Sequence, residues 1–193
     1  MLSPFRVVTV HSSSYWVTKI RFRKTKEDLW KPYLELMRFA RDIGAQIVSF
    51  HPLQRLAGAA ISNNDLVAYN LEFGKKAVEH AKDWNLAVAF ENLPQNGEWS
   101  LLEPVNQVIS EVDSDRFNLL FDIGHAVLQR GASSGNLMQS VLHLIEKYVD
   151  QTLQLHVHGV QRIEGDMEVS LRDHRPLDEN DVLAFFQIMR LLN

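Results

Sequence analysis

"LLFDIGHAVLQRG", Leu119 to Gly131, sets an acid and an imidazole where a buried strand needs neither. The apolar run Leu119–Phe121 ends in Asp122, and His125 follows three residues on, at the start of a helix-forming segment. A β-strand rich in large apolar residues belongs in a core, and a carboxylate at its tip must be paired, hydrogen-bonded or metal-bound if it is buried. Two readings are open. Asp122 caps the following turn with His125 bonded locally, or the two are corners of a metal site.

Four more runs of the same kind flank this one. They are "RVVTVH" ending at His11, "AQIVSFH" at His51, "LAVAFE" at Glu91, and "LQLHVH" carrying His156 and His158. Near-continuous hydrophobicity predicts parallel strands covered on both faces. The strand ends recur every ~30–40 residues, the size of a strand–helix unit. Helix signals fill the intervals. Thr25 with Asp28 and Ser100 with Glu103 read as capping boxes, Gly44 as a C-cap, and "NNDLVAYNLEFGKKAVEHAKDWN" as a helix behind an Asn cap, closing near Asn85. "GNLMQSVLHLIEKYVD" and "DENDVLAFFQIMRLL" supply two further helices. Strict alternation implies an α/β domain with a parallel sheet, open or closed as a (β/α) barrel. No Gly-rich loop follows the first strand, which removes support for dinucleotide and P-loop folds.

Composition narrows the chemistry. The chain has 193 residues, 46% of them hydrophobic and 23% charged, consistent with a single domain over 1–193. It has no cysteine, so a metal would be held by His and carboxylates alone. No apolar run reaches the roughly 20 residues of a membrane span, and a cytoplasmic protein with no membrane partner is the expectation. The net charge of −4 argues against a broad basic face for nucleic acid. A local basic segment, Tyr15 to Lys26, with Lys19, Arg21, Arg23 and Lys24 among aromatics, reads first as a solvated connection.

Each strand-tip residue has an ordinary reading. His11 and His51 could be strand-end histidines bonded to backbone, with Pro52 marking a turn. Only one of His156 and His158, on either side of Val157, is expected to face a common site, and His156 is favoured. His174, in "RDHRPLDEND", is read as a loop residue, and His80 and His143 are given no role. The set carries more than its members. Strand tips at one end of a barrel converge on one mouth, where catalytic groups gather. Imidazoles and carboxylates meeting there form a ligand set for Zn²⁺, Mn²⁺ or related ions.

"FENL", "FDIGHA", "LHVHG" and "DHRPLDENDV" together resemble the xylose-isomerase-like TIM-barrel superfamily, which includes sugar and sugar-phosphate isomerases and epimerases and the zinc enzyme endonuclease IV. The resemblance covers nearly the whole chain and implies a (β/α) barrel of about six strand–helix units. The likeness implies an incomplete barrel, beginning at the second strand and stopping before the last, with open edges that a homodimer or partner chain would cover. For the epimerase branch it implies Glu91, Asp122 and His156 as metal ligands, and His125 and Arg162 as substrate contacts. For the endonuclease branch it implies His11, His51, Glu91, Asp122, His125, His156 and His174 around one to three ions. The chain departs from that branch at Arg172, where an aspartate is usual. It also lacks a match to the last-strand glutamate of both. The leading expectation is a divalent-metal-dependent isomerase or epimerase of a small sugar or sugar phosphate. In it Glu91 is ligand and candidate base for proton transfer next to a carbonyl, and the catalytic His125, with Arg162, positions substrate oxygens. The alternatives are a phosphodiesterase acting on abasic DNA, and a non-catalytic metal- or metabolite-binding remnant or part of a split barrel.

Overall fold

The computed structural model describes residues 7–12, 26–53, 62–94, 102–130, 141–164, 169–177 and 179–191. Five strands form one sheet in sequence order, every neighbouring pair parallel. They are β1 (Thr9–His11), β2 (Ile47–Phe50), β3 (Ala87–Glu91), β4 (Phe117–Asp122) and β5 (Thr152–His156). Between them run α1 (Lys26–Asp42), α2 (Asn63–Trp84), α3 (Leu102–Val112), α4 (Ile123–Arg130) and α5 (Leu142–Tyr148), the last followed by a 3-10 turn over Val149–Gln151. The sheet curls into part of a barrel, with helices outside.

Strand alternation divides the sheet into two unlike faces. Val48 pairs with Val88, Phe50 with Phe90, and Phe90 with Leu119, a register that turns one apolar row toward the helices. There Phe50, Phe73, Phe90 and Phe117 make a chain of ring contacts at 4.7–5.5 Å, closed at one end by Tyr33. Burying each such ring stabilises the fold by roughly 1.5–3 kcal/mol, so this outer layer is the main core. The inner face carries small and polar groups instead. His11 lies beside Ser49, Ser49 beside Ala89, and Glu91 beside Leu120. Across the lumen, Ser49 Oγ donates to Gln154 Oε1 at 2.7 Å.

One irregularity decides what stands next to Asp122. Leu119 pairs with Thr152 but Leu120 with Gln154, so β5 carries an extra residue, Leu153. Without that bulge Leu155 would oppose Asp122; with it, His156 does.

The helix punctuation is partly as the sequence implies. Gly44, at φ 73°, ends α1, and Asn85, at φ 52°, caps α2 in the left-handed region. The N-cap of α2 is Ser62 rather than an asparagine. Its hydroxyl accepts from Asp65 N at 3.1 Å while Asp65 Oδ2 accepts from the Ser62 backbone at 3.3 Å, a full capping box. Thr25, Ser100, and most of the basic Tyr15–Lys26 segment lie outside the described residues.

The segment after His158 corrects the sequence reading. It is an antiparallel hairpin, β6 (Gly159–Glu164) with β7 (Val169–Arg175), ahead of α6 (Glu179–Leu191). His174 therefore sits in a strand, at φ 52°, and not in a loop. A Gly165-Asp166 pair between two alternating runs was the available hairpin signal.

Candidate metal centre

The C-terminal ends of the five parallel strands deliver His11, His51, Glu91, Asp122 and His156 to one place. Glu91, only 2% exposed, is the hub. Its Oε2 lies 2.8 Å from His11 Nε2 and 2.7 Å from His51 Nε2, and its Oε1 lies 3.1 Å from His156 Nδ1. Asp122, with no exposed surface, is the second carboxylate. Its Oδ1 accepts the backbone N–H of His125 at 2.8 Å, the third residue of α4, and so caps that helix. The same carboxylate lies 3.0 Å from His158 Nε2 through Oδ1 and 3.6 Å from His156 Nδ1 through Oδ2. Asp122 therefore caps α4 and at the same time faces the cluster, so the capping role does not exclude a ligand role.

Asn92 holds this geometry from beneath. Its amide donates to the Asp122 carbonyl at 3.0 Å and accepts the Asp122 N–H at 2.8 Å, tying the tips of β3 and β4 together. Its own carbonyl accepts from His125 Nδ1 at 2.8 Å. That bond assigns the proton to Nδ1 and leaves Nε2 as the acceptor of His125. Asn92 was not singled out in the sequence, although it follows Glu91 directly in "FENL".

His158 is a correction. The expectation that only one of His156 and His158 reaches the site does not hold. β5 ends at His156, so strand alternation does not govern His158, and the chain beyond the strand sets its Nε2 3.2 Å from Asp122 Oδ2. Its ring lies 4.3 Å from His174 and 5.4 Å from His125. His174 thus joins the outer rim of the cluster, through the hairpin rather than a loop. Arg162 lies on β6 opposite Leu171, and its side chain is outside the described residues. His80 stacks on Trp84 within α2, away from this group.

The electrostatics follow from burial and imidazole contacts. Burial alone would raise the Glu91 carboxyl, but hydrogen bonds from His11, His156 and His51 outweigh it and hold the group below the usual carboxylate range. Burial likewise pushes Asp122 up, and bonds from His156 and His158, the nearby His125 ring and the His125 N–H bring it below its ordinary value. His156 is raised to about 9 by its contacts with Asp122 and Glu91, against the opposing effect of its own burial.

The donor set fits a divalent ion. Three groups have ligand atoms mutually within 4.8 Å: His11, Glu91 and His156; Glu91, Asp122 and His125; and His125, His158 and His174. His11 Nδ1 is 2.7 Å from the Ser12 carbonyl and so carries a proton there. Its Nε2 meets Glu91 Oε2 at 2.8 Å, so either the second proton of an imidazolium or a divalent ion lies between them. Oxygen and imidazole donors without thiolate suit zinc, manganese or magnesium.

The family model described as xylose isomerase-like TIM barrel matches residues 5–193. The chain belongs to that family. Among solved structures it is similar to a xylose isomerase-like TIM-barrel protein from Mycobacterium smegmatis in complex with magnesium, with 16% identity, a TM-score of 0.66, and coverage of 95% of this chain and 62% of that one. It is also similar to the E. coli 3-keto-D-glucoside 4-epimerase YcjR, at 12% identity and a TM-score of 0.64, covering 96% and 78%. A third similar structure is the IOLI protein with a binding zinc atom, at 13% identity and a TM-score of 0.63, covering 90% and 59%. These likenesses show the fold, an incomplete TIM barrel, and the chain spans about three-fifths of the first and third of these structures. No match was found among curated proteins. Among the described residues no helix is long and apolar enough to cross a membrane.

Proposed function

We propose that the chain is a divalent-metal-dependent isomerase or epimerase acting on a small sugar or sugar phosphate. One observation carries this reading: two carboxylates, 2% and 0% exposed, meet at the barrel mouth with imidazoles as their partners. Buried carboxylates held ionised by neutralisable rings make a poor structural ion pair and a good cation site. Glu91, Asp122 and His156 would hold the ion, with His11 and His51 able to complete its shell. Zinc and manganese suit this set, and the neighbours crystallised with magnesium or zinc are consistent with it. A bound ion would supply Lewis acidity toward a sugar carbonyl and its neighbouring hydroxyl.

The residues of the chain divide the remaining work. Three imidazoles occupy the oxygens of Glu91, which accepts a proton only when one of those contacts opens. His125 has Nδ1 fixed on the Asn92 carbonyl, which makes Nε2 its basic nitrogen, and it is the proton carrier in this reading. Arg162, on the adjoining hairpin, would contact substrate hydroxyls. Sugar epimerase neighbours support the substrate class.

A second reading, a zinc phosphodiesterase of the endonuclease IV kind, is favoured by a specific feature. His125, His158 and His174 share no residue with the His11–Glu91–His156 group, so two ions could be held side by side, as in two-ion phosphoryl chemistry. Incubation of zinc- or manganese-loaded protein with ketoses and ketose phosphates in D₂O separates the readings. Chelator-sensitive exchange of a carbon-bound proton next to the carbonyl, followed by NMR, is the expected result. No exchange on any sugar, with chelator-sensitive cleavage of an abasic duplex, would replace the first reading with the second.

A further inference from the structure

We propose that His158 is a positioning residue for Asp122, and that Gly124 is glycine because the His158 ring lies where its Cβ would be. A Cβ built on Gly124 falls 2.0 Å from His158 Cε1, 2.3 Å from Nδ1 and 2.7 Å from Nε2. Real side chains do not approach so closely, so any larger residue at 124 must expel the ring. The ring is only 12% exposed, and its Nε2 spans both Asp122 oxygens at 3.0 and 3.2 Å. Its Nδ1 lies 3.3 Å from both the His174 N–H and the Gly159 carbonyl, while Nε2, set between two carboxylate oxygens, carries the proton that points at Asp122.

These contacts assign His158 a task distinct from that of the strand-tip histidines. His11, His51 and His156 approach Glu91 from the strands of the barrel wall. His158 instead closes over Asp122 from the hairpin side, above the first turn of α4. Asp122 already gives Oδ1 to the cap of α4. The bond from His158 fixes the carboxylate's rotation about that cap, which keeps Oδ2 toward His156 and the cluster. Hydrogen bonds of this kind to a ligating carboxylate orient it, and losing one costs 10- to 100-fold in metal affinity as a general rule.

Glycine at position 124 is otherwise unfavourable. It is the second residue of α4, where alanine is the better helix former. Gly124→Ala gains helix propensity but loses the packed His158 ring, so its stability should not fall below that of His158→Ala, while the Asp122 contact is removed. A Gly124→Ala variant much less stable than His158→Ala would mark a glycine needed for folding instead of a reserved space.

The test has two arms, and only one of them rests on the metal-site reading. In the first, long-range ¹H–¹⁵N spectra of the chelated protein report imidazole tautomers directly. A His158 signal of the Nε2–H form is expected in the native chain, shifted in Asp122→Asn and displaced in Gly124→Ala. A His158 signal unchanged by Gly124→Ala overturns the proposal, whether or not the protein binds metal. In the second arm, Zn²⁺ affinity is measured for the native protein, Gly124→Ala, His158→Ala and the double variant. About a tenfold loss is expected in each single variant, with no further loss in the double, because both remove the same contact. Losses that multiply, or a zinc ion missing outright from His158→Ala, overturn it; the latter would make His158 a ligand. A native chain that binds no zinc removes the metal reading itself and leaves the spectra to decide the placement of His158. Should Gly124→Ala not fold, His158→Ala and Asp122→Asn carry the same comparison.

Discussion

Replacing Asn92 with alanine removes the tie between the tips of β3 and β4. Asn92 is completely buried, and its side chain satisfies two buried backbone groups of Asp122, the N–H at 2.8 Å and the carbonyl at 3.0 Å. A buried group left without a partner costs about 1–3 kcal/mol, so the pair should cost about 2–6 kcal/mol in total. In a chain of this size that is a fall of roughly 4–24 °C in Tm. Urea unfolding of the chelated protein, followed by two spectroscopic probes, measures it without interference from bound metal. The His125 ring keeps its partner, because that bond goes to the Asn92 backbone carbonyl, which alanine retains. Any accompanying loss of metal affinity would therefore trace to the loosened Asp122. A stability loss below about 1 kcal/mol would refute the view that this amide positions the site.

Other perturbations read different parts of the molecule. The metal-free protein should lose stability as pH rises from 6.5 to about 9, because His156, raised to about 9 in the fold, surrenders its bonds to Glu91 and Asp122 when it deprotonates. Stability should fall again in acid, as pH drops below the ordinary carboxylate range toward the depressed values of Glu91 and Asp122. Thermal unfolding in chelator across pH 3–9 checks both limbs, and a rise between pH 6.5 and 9 would contradict the first. Gly74→Ala should destabilise by about 1–3 kcal/mol despite the better helix former, since its Cβ would lie 2.6 Å from Val112 Cγ2 and 3.1 Å from Phe117 Cζ. Tyr33→Phe should be neutral or stabilising by about 1 kcal/mol, as the buried Tyr33 hydroxyl has no hydrogen-bond partner among the described residues. Both are read by urea unfolding.

The strand tips were legible because hydrophobic runs in a parallel sheet end where the chain leaves the core, and a polar residue marks that point. His11, His51, Glu91, Asp122 and His156 each stand at or one residue past a strand end. Convergence of those tips follows from parallel pairing alone. What stayed hidden depends on contacts between distant segments. The bulge at Leu153, which sets His156 rather than Leu155 opposite Asp122, has no local signature, because "TLQLH" alternates regularly through it. His158 was hidden because it lies two residues past the end of β5, where the course of the chain over Asp122 is set by tertiary contacts. The β6–β7 hairpin escaped because its helix-rich surroundings favoured a simple strand–helix rhythm, and His174 went with it into an expected loop. Asn92 and Gly124 could not be read at all without knowing that β3 meets β4 and that His158 folds back over α4.

The most direct measurement is metal bound per chain, by elemental mass spectrometry. The protein is stripped with chelator, reloaded with Zn²⁺ or Mn²⁺ and dialysed, with Glu91→Gln and Asp122→Asn treated in parallel. The account predicts at least one ion per native chain and none retained by Glu91→Gln, whose oxygens meet His11, His51 and His156 together. No ion on the native chain with either metal, or variants that load as fully as the native chain, would contradict a metal centre at the strand tips.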